Sequence, residues 1–273
     1  MPEQARQVKN NGLDKMKSIQ IIKIGGNIID NPEALDKFLQ NFAKVEGSKI
    51  LVHGGGKLAT EMSKQLGIPV NMVNGRRVTD EATIKLVTGV YAGQINKNIV
   101  ADLQALNCNA LGLTGADMNI IPAHKRINAE IDYGFVGDFN TEDIKAELLV
   151  KIIEMGIIPI FCALTHDQKG NMLNTNADTI ASGLAVALSS FYETQLIYCF
   201  DKKGVLRDVN DDDSVIDHID PKHYKELIQA GAIHDGMIPK LDNSFKAIDN
   251  GVSMVSIKHA DYILEEKGTK LTK

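Results

Sequence analysis

Two short apolar segments that each run straight into glycines constrain this chain more than any other feature. Ile19–Ile24 is rich in isoleucine and ends at Gly25-Gly26, and Ile50–His53 ends at Gly54-Gly55-Gly56. A helical pattern follows each turn. Continuous apolar runs of this length read as strands buried on both faces, and strands alternating with helices build a mostly parallel sheet. In such sheets ligands bind beyond the carboxyl ends of the strands. Glycine there lets backbone N–H groups approach an anion, and a helix N-terminus favours negative charge.

The rest of the chain continues the alternation. Asn31-Pro32-Glu33 gives an N-cap, a proline at the first helical position and an early acid, so a helix runs to about Ala43. A long helical pattern spans Asp80 to Leu106, with Ile84, Val87, Tyr91, Ile95, Ile99 and Leu103 on one side. Further strands are expected at Ala110–Leu113, Ile157–Ala163, Gln195–Phe200 and near Gly251–Ile257. Further helices are expected at Thr141–Glu154, in ADTIASGLAVALSS and at Pro221–Ala230. IDYGFVGDF reads as a small antiparallel excursion.

Composition narrows the classes. The 273 residues carry 30 Lys and Arg against 35 Asp and Glu, a formal charge of −5, which leaves no general footprint for nucleic acid. Trp is absent and aromatics are 5%, which argues against a stacking platform for bases or sugars. No apolar run approaches the roughly 20 residues of a membrane span. The opening MPEQARQVKNNGLDKMKS has no apolar stretch of a secretory signal, so residues 1–15 are expected to be a tail and the protein cytoplasmic. Cys108, Cys162 and Cys199 read as buried reduced thiols. DVNDDDSVID lacks the glycine and closing glutamate of a calcium loop and reads as solvated surface.

Three phosphate or oxyanion motifs can be tested on the glycine turns. Neither is a GxxxxGK[ST] loop. Gly54-x-Gly56-x-x-Ala59 fits the relaxed dinucleotide pattern, but the acid that should follow about 20 residues on is replaced by the arginine-bearing NGRRVT. HGGG resembles an esterase oxyanion loop, yet GxSxG occurs nowhere. The charged residues say more. Lys23 lies inside an apolar strand two residues before Gly25, where an ammonium is costly unless paired or facing an anion. Arg76 and Arg77 could clamp a carboxylate. Asn174, Asn176 and Asp178 surround a probable helix start, where one of them suffices as a cap.

Taken together, IIKIGGN, LVHGGG, NGRRVT, MLNTNAD, FDKKGVL and AGAIHDGMIPK resemble the amino acid kinase family, and within it the acylglutamate kinases, over nearly the whole chain. The resemblance implies a three-layer αβα sandwich around a mostly parallel sheet. It also implies two lobes: residues 16–172 for the acylglutamate and dimerisation, and residues 173–273 for the nucleotide. The implied reaction is ATP-dependent phosphorylation of the γ-carboxylate of N-acetyl-L-glutamate, the second step of arginine biosynthesis. Alternatives are N-succinyl-L-glutamate or another small carboxylate and, more distantly, a ligand sensor without catalysis.

By the same resemblance Lys23 and Lys240 stabilise the transferring phosphoryl group and Asp178 positions both. Gly25, Gly26 and Gly56 line the phosphoryl site. Gly55, Gly56, Arg77, Asn174 and Asn176 hold the acceptor. Asp201, Lys202, Lys203, Gly204, Val205 and Leu206, with Ala232, Ile233 and His234, form the nucleotide site. Mg²⁺ rides on the ATP phosphates, without a dedicated protein ligand. Phe200 departs from the pattern, which usually has a hydroxyl there. The stretch before Ile19 is polar, which favours an unregulated homodimer. His53 is expected to position or support the second turn.

Overall fold

A computed structural model describes residues 17–73, 75–208, 210–233 and 237–273. The tail expected at 1–15 and the nucleotide residue His234 lie outside them. The core is one eight-stranded sheet: β1 (Ser18–Ile24), β2 (Ser48–His53), β3 (Ala110–Leu113), β4 (Ile158–Cys162), β5 (Glu193–Phe200), β6 (His218–Ile219), β7 (Met254–His259) and β8 (Thr269–Leu271). Its order is β6-β8-β7-β5-β1-β2-β4-β3. All neighbours run parallel except β7 and β8, so only the β6–β8 edge is reversed. Ile21 and Ile22 point to opposite faces and both are fully buried. Helices therefore cover the sheet on both sides, as the unbroken apolar runs predict. One layer brings together helices Ala146–Glu154, Ala177–Leu188 and Ile238–Asp249; the other contains Pro32–Lys44 and Asn96–Ala105.

Most expected elements are present. Asn31 caps its helix, accepting from the N–H groups of Glu33 and Ala34, and the excursion pairs His124–Lys125 with Gly137–Asp138. Helix Ile238–Asp249 and the edge strands β6 and β8 carry no expectation from the sequence, and three further details differ. Thr141–Asp143 is a separate short turn, because Ile144 and Lys145 leave helical geometry before Ala146–Glu154 begins. The lobe boundary expected at 172/173 falls inside the hairpin strand Met172–Asn174, which pairs with Leu164–His166. The long helix is interrupted: Glu81–Thr88 and Asn96–Ala105 are α-helical, but Gly89–Ile95 is a π-helix.

The parallel registers set the carboxyl ends of the central strands level. Ile24 stands opposite both Cys199 and His53, and His53 opposite Cys162. Both glycine turns therefore open along one edge. The second is held from behind by the helix interrupted at 89–95. A Cβ on Gly55 would lie 2.3 Å from Ile95 Cδ1 and 2.9 Å from Tyr91 Cδ1, so only glycine fits there. From the next residue, Asn96 Nδ2 donates to His53 Nε2 (3.0 Å) and to the Ile160 carbonyl (2.9 Å). His53 Nδ1 lies 2.8 Å from the Gly54 carbonyl, which can only accept, so the proton sits on Nδ1 and the ring is neutral.

A second buried lysine shows how a strand can carry an ammonium for structure alone. Lys49, in β2, donates to the carbonyls of Phe42 (2.7 Å), Ala43 (3.1 Å) and Val45 (2.7 Å), where helix Pro32–Lys44 ends. These are the orphan carbonyls of a helix C-terminus, and the macrodipole favours a cation there.

Complete burial pushes the His53 imidazole down to about 4 from its ordinary 6.5. Between those values the unfolded chain binds a proton that the folded chain refuses, so stability rises with pH. The free energy of unfolding is expected to fall by about 3 kcal/mol as pH drops from 6.5 to 4. Urea titrations across that range should show the slope, and His53→Gln should flatten it; an equal slope in the variant would assign it elsewhere.

Candidate active site

β1 places Lys23 on the sheet face covered by helix Ala177–Leu188, whose first turn carries Asp178. Lys23 Nζ lies 2.7 Å from Asp178 Oδ1, with both side chains mostly shielded from solvent. The lysine predicted from its awkward place in an apolar strand is thus paired. Lys240, in the first turn of helix Ile238–Asp249, reaches the same centre from across the C-terminal half. Burial lowers its basicity and Lys23 lowers it further, while Asp178 and Asp201 oppose the shift. Of these carboxylates only Asp178 is in ion-pair contact with a lysine, so two cations share one contacting carboxylate among the described residues. Phe200 completes it: its ring centroid is 3.7 Å from Lys240 Nζ and 5.2 Å from Lys23 Nζ.

Beside this centre, at the mouth of the second glycine turn, lies a cleft of about 490 Å³. Its lining includes Gly54–Gly56, Arg76, Arg77 and the run 174–177, which ends immediately before Asp178. Arg77 is buried, and its Nη2 donates to the Gly56 carbonyl (2.9 Å) and Thr60 Oγ1 (2.6 Å). Nη1 is also buried and has no hydrogen-bond partner among the described residues. Leaving a buried guanidinium N–H unpaired costs free energy, and Arg77 carries that donor at the edge of the cleft it lines. Asn174 is held by Nδ2 donation to Thr79 Oγ1 at 3.1 Å.

The remaining expected residues divide. Asn176 is the helix cap, its Oδ1 accepting from Thr179 N–H at 3.0 Å, and both it and Asn174 line the cleft. Gly25 donates its own N–H to the Cys199 carbonyl (2.9 Å) and closes the turn; the N–H groups of Gly26 and Asn27 have no backbone acceptor among the described residues, while Ile28 and Ile29 donate to the Gly25 carbonyl. Asp201 accepts from Asn27 Nδ2 (2.9 Å) and lines a second cavity of about 760 Å³, which meets the first at Lys57. Lys202 and Lys203 are exposed and paired with Asp212 and Asp213 of the acidic loop. Gly204 packs where a Cβ would strike Thr269 Oγ1 at 2.7 Å, and Val205, whose N–H donates to that hydroxyl, is buried. Leu206 bridges to Val215, Ala232 N–H donates to the Leu227 carbonyl, and Ile233 is buried.

Several lining residues escaped the sequence reading. Tyr91 appeared only as part of an apolar helix stripe, and Thr60 and Lys57 follow the glycines without any motif of their own. Spacing after the turn was the available signal, since Lys57 and Thr60 stand one and four residues after Gly56, in the opening turns of the helix.

Two ammonium groups beside glycine turns, only one of them ion-paired among the described residues, next to a cleft with a buried guanidinium, suit the meeting of two anions. Comparisons agree. The model of the amino acid kinase family matches residues 18–259. An acetylglutamate kinase of Phocaeicola vulgatus is 55% identical over 94% of this chain and 99% of its own. One of Cytophaga hutchinsonii is 58% identical over 92% and 94%. Among solved structures, smu.665 of Streptococcus mutans superposes with a TM-score of 0.73 at 30% identity, covering 93% of this chain and 98% of the other. Fold, cleft and sequence converge: the chain belongs to the amino acid kinase family.

Proposed function

We propose that this chain transfers the γ-phosphoryl group of ATP to the γ-carboxylate of N-acetyl-L-glutamate, the acceptor named in its similar relatives. The carrying observation is the Lys23–Asp178 pair with Lys240 beside it, at the end of a cleft where Arg77 keeps a buried free donor. A γ-carboxylate, with an ordinary pKa of about 4.3, is ionised at neutral pH and needs no general base. One of its oxygens attacks Pγ in line, the new C–O–P link forms, and the bond to the bridging oxygen breaks to release ADP. The barrier is then mostly positioning and charge. Lys23 and Lys240 meet the equatorial oxygens, the glycine-turn N–H groups orient phosphoryl and acceptor, and Arg77 with Asn174 holds the α-carboxylate.

Residues 16–172 would supply the acceptor half and 173–273 the nucleotide half, with Asp201–Leu206, Ala232 and Ile233 around the nucleotide. Its entry would compete with the Lys202–Asp212 and Lys203–Asp213 pairs. Asp178 is engaged by Lys23 and Asp201 by Asn27, so the described carboxylates do not form a cage for Mg²⁺. The ion is read as arriving on the ATP phosphates, with water as its other ligands. We place the activity in the cytoplasm, in arginine biosynthesis, and in a homodimer. No helix among the described residues is long and apolar enough to cross a membrane.

Arg76 favours a second reading, the same reaction on N-succinyl-L-glutamate. It lines the cleft beside Arg77, and burial and the Arg126 charge lower its basicity. Arg126 is itself paired with Asp138, and no described carboxylate lies within ion-pair reach of Arg76. An acyl chain ending in a carboxylate would supply the missing anion.

Trapping of the acyl phosphate with hydroxylamine, using Mg·ATP, tests both readings. Lys23→Ala and Lys240→Ala are expected to lower kcat by about 10²–10³ with the fold intact. Near-normal turnover in either would remove that lysine from the mechanism. Arg77→Ala should raise the acceptor KM by at least about tenfold, the effect of losing a charged hydrogen bond. Arg76→Leu should shift the kcat/KM ratio of N-succinyl- to N-acetyl-L-glutamate by roughly 10–100-fold toward acetyl if the second reading holds. An unchanged ratio leaves N-acetyl-L-glutamate alone.

A further inference from the structure

Phosphoryl transfer as proposed uses Lys23, Asp178 and Lys240 but gives no role to the aromatic ring between them. Phe200 is the last residue of β5, directly before Asp201. Its centroid lies 3.7 Å from Lys240 Nζ and 5.2 Å from Lys23 Nζ, both within the range where an ammonium is attracted to the negative face of a ring. The ring is itself held. Tyr198, two residues earlier and so on the same face of β5, stacks on it at 6.2 Å with the planes 14° apart. Gly25 crowds it from β1, where a Cβ would stand 3.2 Å from Phe200 Cδ1.

Lys23 already has a carboxylate; Lys240 has no ion-pair partner among the described residues and sits on the ring. The difference has an electrostatic consequence. A second carboxylate would cancel the remaining charge of the centre, whereas a ring attracts an ammonium and leaves its formal charge in place for an incoming anion. We propose that Phe200 is a positioning residue, its ring seating the Lys240 ammonium beside Lys23 before ATP binds and keeping both cations spaced to meet the transferring phosphoryl group.

The inference rests on the kinase reading, and the test separates the two. Phe200 is replaced by 4-fluoro-, 3,5-difluoro- and pentafluorophenylalanine, which keep the ring's shape while draining charge from its face. With Mg·ATP and N-acetyl- or N-succinyl-L-glutamate, whichever the wild type uses, kcat should fall stepwise to a total loss of about 5- to 30-fold. The acceptor KM should stay within about twofold. Phe200→Tyr should retain most of kcat, and Phe200→Leu should lose about as much as the pentafluoro ring. Independently of turnover, the Lys240 Hε resonances should be shifted upfield by the ring in the wild type and lose that shift in Phe200→Leu. A kcat flat across the fluorinated series would overturn the proposal, even if Phe200→Leu were slow, because packing alone would then explain the leucine variant. Unshifted Lys240 resonances would overturn it as well. A wild-type chain silent toward every acceptor, with Lys240 still shifted, would overturn the kinase reading and leave the ring as the seat of Lys240.

Discussion

Everything at the carboxyl edge of the sheet follows from the need to hold two ammonium groups together with one carboxylate. Like charges repel, and burial removes the water that would screen them. Asp178 neutralises one at 2.7 Å, and Phe200 faces both without removing charge. The site is therefore left cationic and half-buried, in a protein whose overall formal charge is −5. A negatively charged molecule that concentrates positive potential in one place can draw in a polyanion without binding polyanions at large.

The fold supplies that concentration cheaply, through register. Parallel pairing sets Ile24, His53, Cys162 and Cys199 level, so whatever follows each strand gathers at one edge. Two of the loops that follow are glycine turns, and the chain behind them is rigid. The His53 imidazole, fixed as the Nδ1–H tautomer between Asn96 and the Gly54 carbonyl, turns a strand end into a stop for the second loop. The cleft lined by Gly54, Gly55 and Gly56 opens beside that loop.

Much of this was legible in the sequence, for identifiable reasons. Strands buried on both faces announce themselves as unbroken apolar runs, and a charge inside such a run demands an explanation, as Lys23 does. Lys49 makes the same demand from β2 and answers it structurally, by closing the end of helix Pro32–Lys44. Nothing local separates the two lysines; only the position relative to the glycine turn does. Asn174 and Asn176 are equally ambiguous on the page, and the structure assigns the cap to Asn176 because its backbone is extended just where the helix begins. The pairing of Lys202 and Lys203 with Asp212 and Asp213 was not legible, because the acidic loop lies ten residues away and loop closure cannot be read from spacing. The role of Phe200 was hidden for a related reason. Its partners come from Lys23 and Lys240, more than 200 residues apart in the chain.

The π-helical stretch Gly89–Ile95 escaped the periodicity argument because one widened turn barely alters an apolar stripe. Its consequence lies in length rather than composition. The stretch holds one residue more than an ordinary helix needs to make the same turns, so deleting one residue here would restore an α-helix with the segments on either side nearly in phase, while removing the widened turn itself. Tyr91 and Ile95 press on Gly55 from within the stretch, and Asn96 reaches His53 from its end, so the widened turn sits where the helix meets the second glycine loop. Surface helices usually absorb small insertions and deletions by sliding; this one has a counted number of residues. Descendants of this sequence can change its side chains more freely than its tally.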